Sequence, residues 1–189
     1  MKYLFLDVES GGLTTEYSLL TAYLAVYDEQ LNLLDSLSLQ MKPDDGVYNI
    51  NPEALAVNKI NLIEHNKTAI TYKEAKTLLY TFLNWHSSKG ADKLIACGHN
   101  VVFDIIFCTH FILSRNTWGK FISHHSIDTG GITQFLRVLK LIPIEVKGSL
   151  TSLAQHFSID TSGAHDAKFD VEMCVAVFKK FLELTNGRS

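Results

Sequence analysis

The sequence predicts an α/β fold with a mixed sheet flanked by helices. Three strand-like apolar runs come first, joined by short polar links. Short apolar runs then alternate with longer helical patterns, as in a sheet that gains parallel strands. The 189 residues, 47% apolar and 11% aromatic, suffice for a sizeable core, and residues 1–189 read as a single domain.

Residues 3–8, 19–27 and 31–40 read as three strands. The link Asp28-Glu29-Gln30 joins the last two as an antiparallel hairpin. Residues 52–57 read as a short helix, with Asn51 as cap and Pro52 at its first position. A helix over 74–86 lines Ala75, Leu78, Leu79, Phe82 and Leu83 along one face. Residues 93–97 form a strand ending at Gly98, and a helix over 101–115 starts from Asn100 as cap. A strand over 126–128 and a helix over 129–139 follow. Ser149 caps a helix through His156, and Asp166 caps the last helix, over 167–184.

No apolar run approaches the ~20 residues that span a bilayer, so no membrane partner is expected. The N-terminus enters a strand directly, which is not the pattern of a secretory signal. Cys97, Cys108 and Cys174 have no CxxC spacing and read as free thiols in a reducing compartment, hence a cytoplasmic protein. The formal net charge of −3 is not that of a bulk polyanion binder. Four carboxylates at odd positions contribute −4 of it, and two divalent cations would reverse the balance.

Those four are Asp7, Glu9, Asp104 and Asp170. Asp7 and Glu9 close the apolar run Tyr3-Leu-Phe-Leu-Asp7-Val-Glu9, and their i, i+2 spacing on a strand points both to one side. Such a pair can hold hard cations, and it also fits a solvated strand end. Asp104 interrupts Val101-Val-Phe-Asp104-Ile-Ile-Phe; the helix dipole favours acids in a first turn, yet does not explain so apolar a setting. Asp170 precedes Cys174 by one turn, over the buried stripe of the last helix. An unpaired ionised carboxylate in an apolar site is costly, and clustered carboxylates ordinarily share a divalent cation. His165 falls in the Ser162-Gly163-Ala164 loop before that helix, where it can fold back over the helix start. The pair His124-His125 and the other histidines show no zinc spacing and read as surface or core residues.

Three segments resemble the motifs of the DEDDh group of exonucleases: Asp7-Val-Glu9-Ser-Gly-Gly-Leu13, Gly98-His-Asn100-Val-Val-Phe103-Asp104, and His165-Asp-Ala-Lys-Phe-Asp170-Val. That group has the ribonuclease H-like fold and includes proofreading exonucleases, oligoribonuclease and ribonuclease T. The resemblance extends to Asn51-Pro-Glu-Ala-Leu, Ile127-Asp128-Thr129 and Ser149-Leu150-x-x-Leu153-Ala154, and so covers nearly the whole chain. Ser10 stands where many members have threonine. The resemblance implies a ribonuclease H-like mixed sheet and two-metal hydrolysis of the 3′-terminal phosphodiester of nucleic acid, with Mg²⁺ or Mn²⁺ as cofactors. It implies Asp7, Glu9, Asp104 and Asp170 as metal ligands, Asp7 bridging both ions, and His165 as the base that deprotonates the attacking water. Imidazole suits that task because its charge changes near neutral pH. Ser10, Gly11, Gly12 and Leu13 would meet the last nucleotide, with Leu13 against its base. Phe103 would sit near the bases or in the core, and Asp128 would cap the helix after it.

The expected partner is a nucleic-acid 3′ end, single-stranded DNA slightly preferred, with RNA or short oligoribonucleotides as the alternative substrate. A polymerase partner and a homodimer are both compatible with the sequence. A non-catalytic binding module should have lost at least one of the five chemical residues, and none is missing.

Overall fold

Alternation along β1 (Tyr3–Ser10) organises the molecule. Leu4, Leu6 and Val8 pack into one core layer, while Phe5 packs into the other. The computed structural model describes residues 1–186. β1 pairs antiparallel with β2 (Leu19–Tyr27), which pairs antiparallel with β3 (Leu33–Lys42). On its other side β1 pairs parallel with β5 (Leu94–Gly98), and β5 pairs parallel with β6 (Ile122–Asp128). A two-residue strand, β4 (Ile70–Thr71), runs parallel to the end of β3. The sheet order is β4-β3-β2-β1-β5-β6. The expected mixed sheet, three antiparallel strands plus parallel ones, is therefore present.

The helices divide between the two faces. α3 (Tyr72–His86) and α4 (Val101–Phe111) cover the Leu4–Leu6–Val8 face. α6 (Thr129–Val138), α7 (Leu150–His156) and α8 (Ala167–Asn186) cover the Phe5 face. α1 (Pro52–Asn58), α2 (Leu62–Thr68) and α5 (Arg115–Phe121) are short connectors.

Capping explains most boundaries. Asn51 accepts from the Glu53 N–H to start α1, with Pro52 at its first position. Thr71 and Glu74 form a capping box that begins α3 two residues ahead of the expected start. Ser149 accepts from Ser152 N–H at α7. Asp166 accepts from Phe169 N–H at 3.0 Å as α8 begins, as expected.

Two expectations are corrected. The helix expected over 101–115 leaves helical geometry at Ile112, and α5 forms separately behind the cap Ser114. Asn100 does not cap α4 through its side chain; its backbone is left-handed at φ 61°. The Asp128 carboxylate performs that task instead, accepting from Asn100 and Val101 N–H at 3.2 and 2.9 Å. It also caps α6, accepting from Gly130 and Gly131 N–H at 2.8 and 3.3 Å. One side chain thus ties two helix starts together. Asp128→Ala is expected to cost on the order of 2–4 kcal/mol, the sum of a lost cap and lost bonds to a charged acceptor. The check is the urea midpoint, and a drop no larger than that of an exposed Asp→Ala control would refute it.

All three cysteines are buried and free. Among the described residues, no helix is long and apolar enough to cross a membrane.

Candidate active site

Asp7 and Glu9 lie on β1 on either side of buried Val8, and so face the layer that contains α8. Asp170 approaches from the first turn of α8. One oxygen from each of Asp7, Glu9 and Asp170 lies within 4.8 Å of the others. Asp104 sits beside Asp7, outside that three-oxygen cluster. It is 3% exposed, and its Oδ1 accepts from Val8 N–H at 3.0 Å. The bond fixes Asp104 against β1.

Electrostatics set the cost of this arrangement. Burial pushes the Asp7 carboxyl well above its ordinary range, and the charges of Asp104, Glu9 and Asp170 push it further. Burial, then Asp170 and Asp166, raise Glu9 to about 8. Burial also raises Asp104, against the lowering pull of the Val8 N–H. Asp170 is raised by burial and partly relieved by the His165 N–H and imidazole. Among the described residues, no Lys or Arg forms an ion pair with any of the four. Three carboxylates within 4.8 Å of one another, with Asp104 acting on Asp7 and no ion-paired Lys or Arg among the described residues, form an all-oxygen donor set suited to hard divalent ions. The residues present fit that group.

His165 is exposed, in the turn before α8, with a left-handed φ of 73°. Its backbone N–H donates to the Asp170 carboxylate oxygens at 3.3 and 3.4 Å. The backbone is therefore anchored to a candidate ligand while the ring stays at the rim.

A groove of about 350 Å³ opens next to Glu9, between the turn after β1 and α1. Ser10, Gly12, Leu13 and Phe103, four of the five residues expected to meet substrate, line it. Leu13 stands 87% exposed at its mouth. Phe103 also stacks toward Phe107, ring centroids 4.7 Å apart, so it belongs to both groove and core. Gly11 does not line the groove; it holds the turn's shape. A side chain there would meet Asn49 O at 2.7 Å and Ile50 Cδ1 at 2.6 Å, and one at Gly12 would meet the Tyr17 ring at 2.3 Å. Ser10 Oγ donates to Gly12 C=O at 2.6 Å.

The opposite groove wall, Asn51, Glu53, Ala54, Val57 and Asn58, lies outside the site residues that the sequence predicts. Buried Asn58 donates through Nδ2 to Ser10 C=O at 3.1 Å, and Asn51 N–H donates to Gly11 C=O at 2.6 Å. The similarity at Asn51-Pro-Glu-Ala-Leu was the available signal. The Asn58 contact spans 48 residues and had none.

No family model matches the sequence. Ribonuclease T of Shewanella denitrificans is 25% identical over 187 residues, covering 92% of this chain and 76% of that protein. Ribonuclease T of Klebsiella pneumoniae is 26% identical over 184 residues, covering 92% and 80%. In structure, the chain resembles E. coli exonuclease I in complex with a dT13 oligonucleotide, with a TM-score of 0.79 and 20% identity, over 95% of this chain. Exonuclease I from Methylocaldum szegediense gives a TM-score of 0.77 at 20% identity, over all of this chain. The chain spans about 40% of the length of these exonuclease I chains, and at this identity the likeness establishes the fold.

Proposed function

We propose that this chain is a DEDDh-type 3′-5′ exonuclease, a reading that the three motifs and the ribonuclease T relatives together support, and that residues 1–189 act as one exonuclease domain. It hydrolyses the terminal phosphodiester bond of nucleic acid from the 3′ end and releases nucleoside monophosphates. The observation that carries this reading is the convergence of Asp7, Glu9 and Asp170 within 4.8 Å, beside an open groove and, among the described residues, without an ion-paired Lys or Arg.

Asp7, Glu9, Asp104 and Asp170 would hold two divalent cations, Mg²⁺ or Mn²⁺, which supply charge compensation to the attacking and leaving oxygens. His165 takes the proton of the attacking water as general base. Its ring, at the rim and anchored only through its backbone, is free to reach that water from the solvent side. Leu13 and Phe103 flank the terminal base, and the Ser10–Leu13 turn lets backbone approach the last nucleotide. Asn51 and Asn58 keep that turn in place.

Single-stranded DNA is the favoured substrate, supported by the oligonucleotide held by E. coli exonuclease I. RNA is the second reading, supported by the name shared by the curated relatives. The two differ at the 2′ position.

The test uses 5′-labelled single-stranded DNA, single-stranded RNA and dinucleotides with Mg²⁺ or Mn²⁺. Shortening from the 3′ end is expected, with none after EDTA treatment and none for Asp7→Ala. Failure of the unmodified protein to shorten any of the three would rule out this function.

A further inference from the structure

A glycine inside a helix weakens it relative to alanine, yet Gly119 stands in the middle of α5. A Cβ placed there would meet nothing within 4 Å. Beside it lies a cavity of about 420 Å³ between α4, α5 and β6. Its floor is apolar, formed by Val102, Ile105 and Ile106 of α4, Trp118 of α5 and Ile122 of β6. Val102 and Ile106 stand 55% and 39% exposed, an apolar surface left uncovered by the described residues. The rim is cationic. Lys93 and Arg115 line it with the His124 imidazole, and no acidic residue does so among the described residues. Neither cation forms an ion pair among those residues. Lys93 Nζ donates instead to Gly119 C=O at 2.6 Å, which fixes the ammonium at the cavity wall without neutralising it.

β6 is shaped to the same space. It pairs with β5 at Leu94–Ile122 and again at Ala96–Ser126, so Ser123, His124 and His125 stand opposite Ile95 alone. Such bulges re-aim side chains beside functional sites. Here the bulged Ser123 and His124 line the cavity, and Ser123 Oγ accepts from His125 N–H at 3.1 Å, which holds the bulge in shape. The bulge also breaks the regular edge that an extended peptide would need in order to add a strand.

An apolar floor under a cationic rim suits a ligand with a flat apolar body and an anionic end, and the volume is that of a small-molecule site. We propose that this cavity binds a nucleoside monophosphate, with its phosphate on Arg115, Lys93 and His124 and its base on Val102, Ile106 and Trp118. Guanidinium and ammonium groups make charge-assisted bonds to phosphate, and Thr109, Ser123 and Ser126 offer hydroxyls to the sugar. The choice of a nucleotide over other phosphorylated planar molecules rests on the proposed reaction, which releases that class. The flat, anionic character of the ligand rests on the cavity alone. α4 separates the two sites, carrying Phe103 to the groove beside Glu9 and Val102, Ile105 and Ile106 to this cavity.

The experiment is calorimetric titration of the full chain with adenosine 5′-monophosphate in EDTA, beside adenosine and inorganic phosphate. EDTA removes the cations through which the acid cluster could hold phosphate. The monophosphate is expected to bind at least ~10-fold tighter than either half alone. Arg115→Gln, at an exposed position, should weaken it ~10–100-fold, the value of hydrogen bonds to a charged group. Gly119→Leu fills the cavity from a position with open space around its Cβ and should abolish binding, while Gly119→Ala retains it. Inorganic phosphate binding as tightly as the monophosphate would overturn the proposal. So would binding that survives both Arg115→Gln and Gly119→Leu, which would place the nucleotide in the groove beside Glu9. A thymidine oligonucleotide that binds through Arg115 where the monophosphate does not would also overturn it and assign the rim to a polymer. Shortening of 3′ ends is measured on the same protein: shortening without nucleotide binding fails this proposal alone, and nucleotide binding without shortening fails the proposed reaction alone.

Discussion

His165→Ala is expected to lower kcat for 3′-end hydrolysis by ~10²–10⁴-fold, the usual contribution of a positioned general base, while divalent-cation binding is retained. The geometry separates these two effects. The hydrogen bond that His165 gives the acid cluster comes from its backbone N–H, at 3.3 Å from Asp170, and alanine keeps that donor. What alanine removes is the imidazole. A second variant deals with backbone strain, because His165 has a φ of 73°, where alanine is disfavoured and asparagine is tolerated. His165→Asn should therefore fold at least as well as the alanine variant and be equally slow. Calorimetric titration with Mn²⁺ supplies the other half of the test. Full activity in either variant would remove His165 from the chemistry. Joint loss of activity and Mn²⁺ binding in both variants would make it a structural residue.

The four candidate carboxylates could be singled out in the sequence because each breaks a local pattern, whereas His165, exposed in a turn, stood out only through its neighbours. Asp7 and Glu9 share a side by the two-residue period of a strand, and that period survives folding unchanged. Asp170 could be recognised because Asp166 was already available as the cap, and Asp166 does cap α8. Features that depend on distant residues were less legible. The start of α4 looked like an Asn cap, yet the acceptor is Asp128, 28 residues from Asn100, and nothing local announces it. The helix expected to run to Arg115 ends at Phe111 because Leu113 N–H turns back to Cys108 C=O; its apolar sequence continues past the break, so periodicity misses it. α2 and β4 are too short, at seven and two residues, to leave a periodic signal. The groove shows the same division: the turn wall, from Ser10 to Leu13, was readable from its motif, whereas the α1 wall depends on Asn58 reaching back to Ser10.

The metal-free protein is expected to lose stability as pH rises from about 4.5 to 8, and divalent cations are expected to abolish that loss. The sign follows from Glu9. Burial and the neighbouring Asp170 and Asp166 raise its pKa from 4.5 to about 8 in the folded state, so between those values the folded protein holds a proton that the unfolded chain releases. Stability then falls with rising pH. The contribution is complete below about 4.5, where both states are protonated, and is gone above about 8. Asp7, Asp104 and Asp170 are raised as well and act in the same direction. At ~1.4 kcal/mol per pKa unit, Glu9 sets an effect on the order of 3–5 kcal/mol. For a chain of this size that is a fall on the order of 10 °C in Tm. Saturating Mg²⁺ or Mn²⁺ favours the ionised carboxylates and binds the folded state alone, so Tm with cation should rise or stay level over the same range. Cation binding near pH 7 should also release protons, measurable as a buffer-dependent heat. Glu9→Gln keeps the shape of the group and removes its titration, so it should flatten much of the metal-free pH dependence. A metal-free Tm that climbs between pH 5 and 8, or that responds equally to Mg²⁺ in the protein and in a variant with Asp7 and Glu9 both replaced by their amides, would mean that these acids are compensated from within the protein and do not form a cation site.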